Sequence, residues 1–193
     1  MTPLVVSFYT DEYAEFASTL IASCERFGYD CEVLAADLRE LRDWRSRVAQ
    51  KGPWLLAAMQ RHDRPLLWLD ADSEILLRPD LFDDPPFDFA CCRAPCSGFF
   101  RSGTLYVRPA ALPLLERCAF RCEDRPQDGH ERNLTAAWDA TSRRYRTREL
   151  PRGYNAVPSM LDDPQPPDPV FIISNHQSGG GYATVFQQEA VTA

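Results

Sequence analysis

The chain has 193 residues, 45% of them hydrophobic and 25% charged, with a net charge of −7. That balance belongs to a globular protein with one sizeable core, so a single domain over residues 1–193 is expected. The acidic surplus argues against broad binding to a nucleic-acid backbone, which needs a basic face. No run approaches the eighteen or so apolar residues of a membrane span. Residues 1–6 lack the basic start and long apolar run of a signal peptide, so the expected location is cytoplasmic. The seven cysteines are odd in number and come without a secretory pattern. They read as free, mostly buried thiols rather than a disulfide framework. Cys91, Cys92 and Cys96 match no common zinc spacing.

Residues 4–9, Leu-Val-Val-Ser-Phe-Tyr, form a short β-rich run that predicts a buried first strand. Tyr13, Phe16, Leu20 and Ile21 then recur at helical spacing, with Asp11 placed to cap the helix and Gly28 to stop it. Residues 31–35 predict a second strand. Residues 37–50 are charged, with Leu38, Leu41 and Trp44 on one side, and residues 54–60 predict a helix closed by His62-Asp63-Arg64-Pro65. Leu66-Leu67-Trp68-Leu69 is the most hydrophobic strand candidate and runs straight into Asp70-Ala71-Asp72. Further strands are expected over 87–92 and 103–108, and helices over 110–122 and 131–141. A last buried strand over 170–173 delivers Asn175-His176. Strands alternating with helices imply an α/β fold whose central sheet is mainly parallel, and such sheets bind ligands at the carboxyl ends of their strands.

Two carboxylates one residue apart, placed directly after a buried strand, are costly unless something compensates their charge. A divalent cation does so. Carboxylate oxygens suit Mg²⁺ or Mn²⁺, and a histidine ligand favours Mn²⁺. The alternative is a strand that simply ends in a polar turn. Downstream, His176 heads Gln177-Ser178-Gly179-Gly180-Gly181, small residues whose backbone N–H groups can approach an anion closely. The alternative there is a glycine-rich loop with no ligand. His62 and His130 read as surface residues, and the four tryptophans as packing rather than sugar platforms.

Trp68-Leu69-Asp70-Ala71-Asp72 and His176-Gln177-Ser178-Gly179 resemble the D-x-D and H-x-x-G elements of GT-A fold glycosyltransferases. They are most similar to small retaining-type enzymes related to the glycogenin and galactosyltransferase families. Phe100-Arg101-Ser102-Gly103 is similar to the "F-N-S-G" strand of that group, with Arg101 in place of Asn. Residues 128–134 resemble the acidic segment that opens a helix contacting the donor sugar. Leu150-Pro151-Arg152-Gly153-Tyr154-Asn155 resembles their "L-P-x-x-Y-N" strand. The lysine that some relatives carry after H-x-x-G is absent, and Tyr182 stands nearby.

The resemblance implies a three-layer GT-A (Rossmann-like) fold with helices on both faces of the sheet. It also implies transfer of a sugar, with retention, from a nucleotide-diphosphate sugar, UDP by analogy, in the presence of Mn²⁺ or Mg²⁺. Asp70, Asp72 and His176 would hold the metal, with Asp70 alternatively on the donor ribose. Ser178, Gly179 and Gly180 would hold the diphosphate through backbone, and Tyr9 and Thr10 would lie against the base. Lys51, the only lysine, would contact the donor sugar or phosphates together with Asp128 or Glu131. The acceptor class stays open among glycan, lipid-linked glycan, protein, metabolite and modified nucleic-acid base.

Two rival readings fit less of the chain. A phosphatase of the haloacid dehalogenase type also has a hydrophobic strand before D-x-D. It needs a basic residue downstream, however, and begins its core with that strand. A non-catalytic nucleotide-sugar-binding module would keep the same fold.

Overall fold

The structure is a computed structural model that describes residues 1–41, 43–94, 97–158 and 167–174. Its elements, in chain order, are β1 (Leu4–Tyr9), α1 (Ala14–Phe27), β2 (Cys31–Ala35), α2 (Trp44–Ala49), α3 (Lys51–His62), β3 (Leu66–Leu69) and β4 (Ser73–Ile75). They continue as β5 (Phe89–Arg93), β6 (Phe100–Val107), α4 (Leu112–Asp124), α5 (Gly129–Thr141), β7 (Thr147–Glu149) and β8 (Ile172–Ser174). The central sheet has six strands in the order β2-β1-β3-β6-β5-β7. Five of them run in one direction, and β6 alone is antiparallel to both of its neighbours. The fold is therefore α/β with a mainly parallel central sheet, as the alternation of apolar runs implies.

Strand periodicity divides the core in two. Val6, Leu66, Trp68, Phe89, Cys91, Leu105 and Val107 face one side, where they pack with residues of α3, α4 and α5 such as Leu55, Leu115 and Leu134. Val5, Leu67, Leu69, Ala90, Cys92 and Tyr106 face the other, against Leu20 and Cys24 of α1 and Phe82, Ile75 and Ile172. Alternation at period two in strands buried on both faces explains why β1 and β3 are predominantly apolar rather than striped,.

Several local expectations need correction. Asp11 makes no side-chain cap. Residues 11–13 form a short 3₁₀ turn held by Tyr13 N–H donating to the Thr10 carbonyl at 2.8 Å, and α1 starts at Ala14. Gly28 does stop α1, with φ of 71°, a left-handed conformation that suits glycine. Within the charged segment the helix begins only at Trp44, after Asp43 caps it by accepting from Ser46 N–H. The last strand, β8, is not part of the central sheet. It pairs antiparallel with β4, Ser174 opposite Ser73, in a two-stranded sheet of its own. Among the described residues no helix is long and apolar enough to cross a membrane.

The contact of α3 with α4 is close because α3 carries Gly52 in its first turn. A Cβ there would lie 2.8 Å from Cys122 Sγ and 3.3 Å from the Ala119 Cα. Because one of those atoms is backbone, Gly52→Ala must push the helices apart, and a loss of about 1–3 kcal/mol is expected from such overpacking. Urea denaturation checks it; an unchanged midpoint would mean the helices are free to shift.

Candidate functional site

A cleft opens beyond the carboxyl ends of β1 and β3. Tyr9, Thr10, Tyr13, Arg47, Lys51 and Asp72 are among the residues that line it. Its floor is aromatic. Trp68 packs edge-on against Phe8 and Trp54, with ring centroids 5.5 and 5.6 Å away. Trp68 and Asp70 are two residues apart at the end of β3 and so project to the same side. The indole Nε1–H donates to Asp70 Oδ1 at 2.8 Å. The Lys51 ammonium, on the first residue of α3, donates to the same oxygen at 2.6 Å and lies 5.5 Å above the Trp68 ring. The pair is mostly shut off from water, with the two side chains 11% and 20% exposed. Asp70 is thus held by the protein's own cation.

Asp72 lies past the turn in which Ser73 N–H donates to the Asp70 carbonyl at 2.9 Å. It is 7% exposed. The Tyr13 phenol faces this acidic corner, and burial first and the Asp72 charge second push its pKa up. Ser73 and Ser174 hydroxyls meet at 2.9 Å, so the described chain ends on β8 immediately beside the D-x-D turn. His176, Ser178, Gly179 and Gly180 lie outside the described residues, as do Cys96 and Tyr182. Among the described residues no three His, Cys, Asp or Glu side chains form a group able to hold a metal ion.

A second cleft adjoins the first and shares Trp44, Val48, Lys51 and Asp70 with it; Asp128, His130, Glu131 and Asn155 are in its wall. This cleft depends on an irregularity in β6. Cys92 pairs with Arg101 and Cys91 with Leu105, so residues 102–104 bulge away from β5. They turn toward β3 instead, where the Gly103 carbonyl accepts from Asp70 N–H at 2.9 Å. The backbone groups freed by the bulge find other partners. The Cys91 thiol donates to the Arg101 carbonyl at 3.1 Å, Glu131 Oε1 accepts from Ser102 N–H at 3.3 Å, and Asn155 Nδ2 donates to the Arg101 carbonyl at 3.4 Å. A Cβ at Gly103 would stand 2.5 Å from Asn155 Oδ1, so any larger residue there displaces the Asn155 amide.

The structure therefore brings Tyr9, Thr10, Lys51, Asp70 and Asp72 to one cleft, and Asp128 and Glu131 to the adjoining one. His130 is a correction: it is 1% exposed, not a surface residue. Trp44 is 60% exposed and stands between the two clefts instead of packing in the core. Arg47, which is bonded to the Leu41 carbonyl at 2.7 Å, escaped the sequence reading. It lies on α2, whereas Lys51 opens α3, so only the meeting of the two helices at the cleft brings both cations into its lining.

No family model matches the sequence, and no curated protein does. Among solved structures, the chain is similar to a glycosyltransferase involved in the glycosylation of the major capsid of PBCV-1. The likeness covers 93% of this chain and 95% of that one, with a TM-score of 0.70 and 14% identity. At that identity the likeness establishes a shared fold, that of a glycosyltransferase.

The Lys51–Asp70 pair makes a direct prediction. Lys51→Met strands a largely buried carboxylate, so the double variant Lys51→Met/Asp70→Asn should be less destabilised than the sum of the two single variants,. A coupling of roughly 1–3 kcal/mol is expected from a double-mutant cycle in urea. Strict additivity would show that the two charges do not depend on one another.

Proposed function

We propose that this chain is a glycosyltransferase that moves a sugar from a nucleotide-diphosphate sugar, UDP as the nucleotide, to an acceptor hydroxyl. The observation that carries the reading is the meeting of two clefts at the Asp70–Lys51 pair, with the D-x-D carboxylates in one and Asp128, Glu131 and Asn155 in the other. The fold shared with a glycosyltransferase supports it.

In this reading the first cleft takes the nucleotide. Tyr9 and Thr10 flank the base, and Lys51 and Arg47 in the wall supply positive charge for a diphosphate. Asp72, with Asp70 and His176, would hold a Mn²⁺ or Mg²⁺ ion, whose chemistry there is charge neutralisation on the leaving nucleotide diphosphate. The donor set suits such an ion: Asp72 is a buried carboxylate with oxygen ligands to offer,. Asp70 already accepts from Lys51 and Trp68, which favours a supporting role for it on the metal or the ribose. Backbone at Ser178, Gly179 and Gly180 would then hold the diphosphate.

The second cleft takes the sugar and the acceptor, beside Asp128 and Glu131. The bond from the anomeric carbon to the diphosphate breaks, the nucleotide diphosphate departs with the electron pair, and the acceptor oxygen bonds the anomeric carbon while its hydroxyl proton passes to the departing diphosphate. Retention of configuration is part of the proposal and rests on the family resemblance.

A ligand that binds only the native state raises the unfolding midpoint. UDP or a UDP-sugar with Mn²⁺ should shift it by roughly 5–10 °C near a hundredfold excess over Kd, and neither component alone should do so. Asp72→Asn should fold normally and lose the shift. A metal-dependent shift retained by folded Asp72→Asn removes Asp72 from the metal site, and the lack of any nucleotide effect on the wild type overturns the reading.

A further inference from the structure

The two clefts differ in charge. In the first, both cations have carboxylate partners: Arg47 lies 3.9 Å from Glu12, and Lys51 lies 2.6 Å from Asp70. The second cleft shares the Lys51–Asp70 pair and adds Arg45, Arg101 and Arg132, set against Asp128 and Glu131. These three arginines line the second cleft and not the first. In a chain of net charge −7, that is a local surplus of positive charge. The arginines come from three elements. Arg45, on α2, has its Cβ 3.9 Å from where a Cβ on Gly129 would stand. Arg101, on β6, is held by its carbonyl, which accepts from the Cys91 thiol and the Asn155 amide. Arg132, on α5, has its guanidinium carbon 5.4 Å from the centre of the Phe99 ring. Arg45 and Arg132 are exposed, and among the described residues neither forms a salt bridge or a side-chain hydrogen bond.

A single exposed arginine is ordinary surface. Three that converge on one cleft repel one another, and an anion bound among them removes that cost. Trp44 adds an apolar plane. It is 60% exposed and lines the same cleft. Asp43 fixes the start of α2 by accepting from Ser46 N–H at 2.9 Å, so Trp44 and Arg45 are presented together. An exposed indole suits the C–H face of a sugar ring, and guanidiniums suit a carboxylate or phosphate, which they can bind through paired N–H groups. The donor does not account for these arginines. On the proposed reading its diphosphate lies in the first cleft with Lys51 and Arg47, and a charge on its sugar would face Asp128 and Glu131.

Resting on the transferase reading, we infer that the acceptor is an acidic sugar, whose ring stacks on Trp44 and whose carboxylate or phosphate is held by Arg45, Arg101 and Arg132. Transfer is then to one of its hydroxyls. Ring and charge are read by different side chains, so the two contributions separate on substitution.

Ligand-observed NMR titrations test this with the methyl glycosides of glucose, galactose and mannose, the corresponding uronic acids and the corresponding 6-phosphates, with and without UDP and Mg²⁺. Each trio differs only in the group on C6. At least one acid or phosphate should bind roughly fivefold or more tighter than its neutral parent, on the scale of a charge-assisted hydrogen bond. Arg45→Gln combined with Arg132→Gln should bring that ligand within about twofold of its parent and leave UDP affinity within about twofold of wild type. Trp44→Ala should weaken both members of the pair alike, by roughly threefold to tenfold. A preference for the uronic acids assigns the anion as a carboxylate, and one for the 6-phosphates as a phosphate. Equal binding of charged and neutral members, no binding of any of them, or a preference that survives the arginine substitutions overturns the inference. So does an arginine-dependent preference for UDP-glucuronic acid over UDP-glucose, which would put the charge on the donor. Wild type that binds the charged sugars but not UDP leaves the acidic-sugar site standing and overturns the transferase reading.

Discussion

The Asp70 carboxylate follows a strand whose four residues are all buried, and Lys51 and the Trp68 indole both donate to one of its oxygens. Much of the site depends on that arrangement. An unpaired carboxylate at this depth would be strongly destabilising, while a paired one costs little and fixes both partners. Lys51 is the first residue of α3, so the ion pair pins the start of that helix to the end of β3. Gly52, the next residue, lets α3 lie close on α4. The anchor at Asp70 and the close helix contact together hold the wall that divides the two clefts. Asp72, past the turn, lines the first cleft beside it.

The reversed strand β6 builds the other half. A parallel strand in its place would carry its own ladder to both neighbours. Here the bulge over residues 102–104 releases backbone toward Asp70 and toward α5. Cys91, Glu131 and Asn155 satisfy what the bulge frees. Two of those three also face the second cleft, so the side chains that stabilise the irregular backbone are the ones that shape the pocket. The buried thiol of Cys91, its pKa raised by burial, is a hydrogen-bond donor for the bulge and not a reactive group.

The α/β layering was legible because buried strands announce themselves as apolar runs; β1 and β3 have the bounds the runs predict. The D-x-D turn was legible for the same reason, since charge appears abruptly after Leu69. Other features lie in partners distant along the chain. Nothing in residues 170–174 says that β8 will pair with β4 rather than join the main sheet. The bulge in β6 reads as an ordinary strand because its freed carbonyls are satisfied by Cys91 and Asn155, one of them 54 residues away. His130 read as a surface residue because its neighbours Asp128, Glu131 and Arg132 are polar. α5 docks beside α2, where Arg45 lies next to Gly129, and no local pattern encodes that docking.

On the proposed reading the D-x-D cleft holds a metal–nucleotide pair on Asp72. Crystals grown with Mn²⁺ and UDP, measured near the manganese absorption edge, test it most directly. An anomalous peak within about 2.0–2.3 Å of an Asp72 carboxylate oxygen, with the UDP diphosphate beside it and the base against Tyr9 and Thr10, is the predicted result. Manganese and nucleotide bound away from Asp72, or a D-x-D turn that binds neither under saturating conditions, would contradict it.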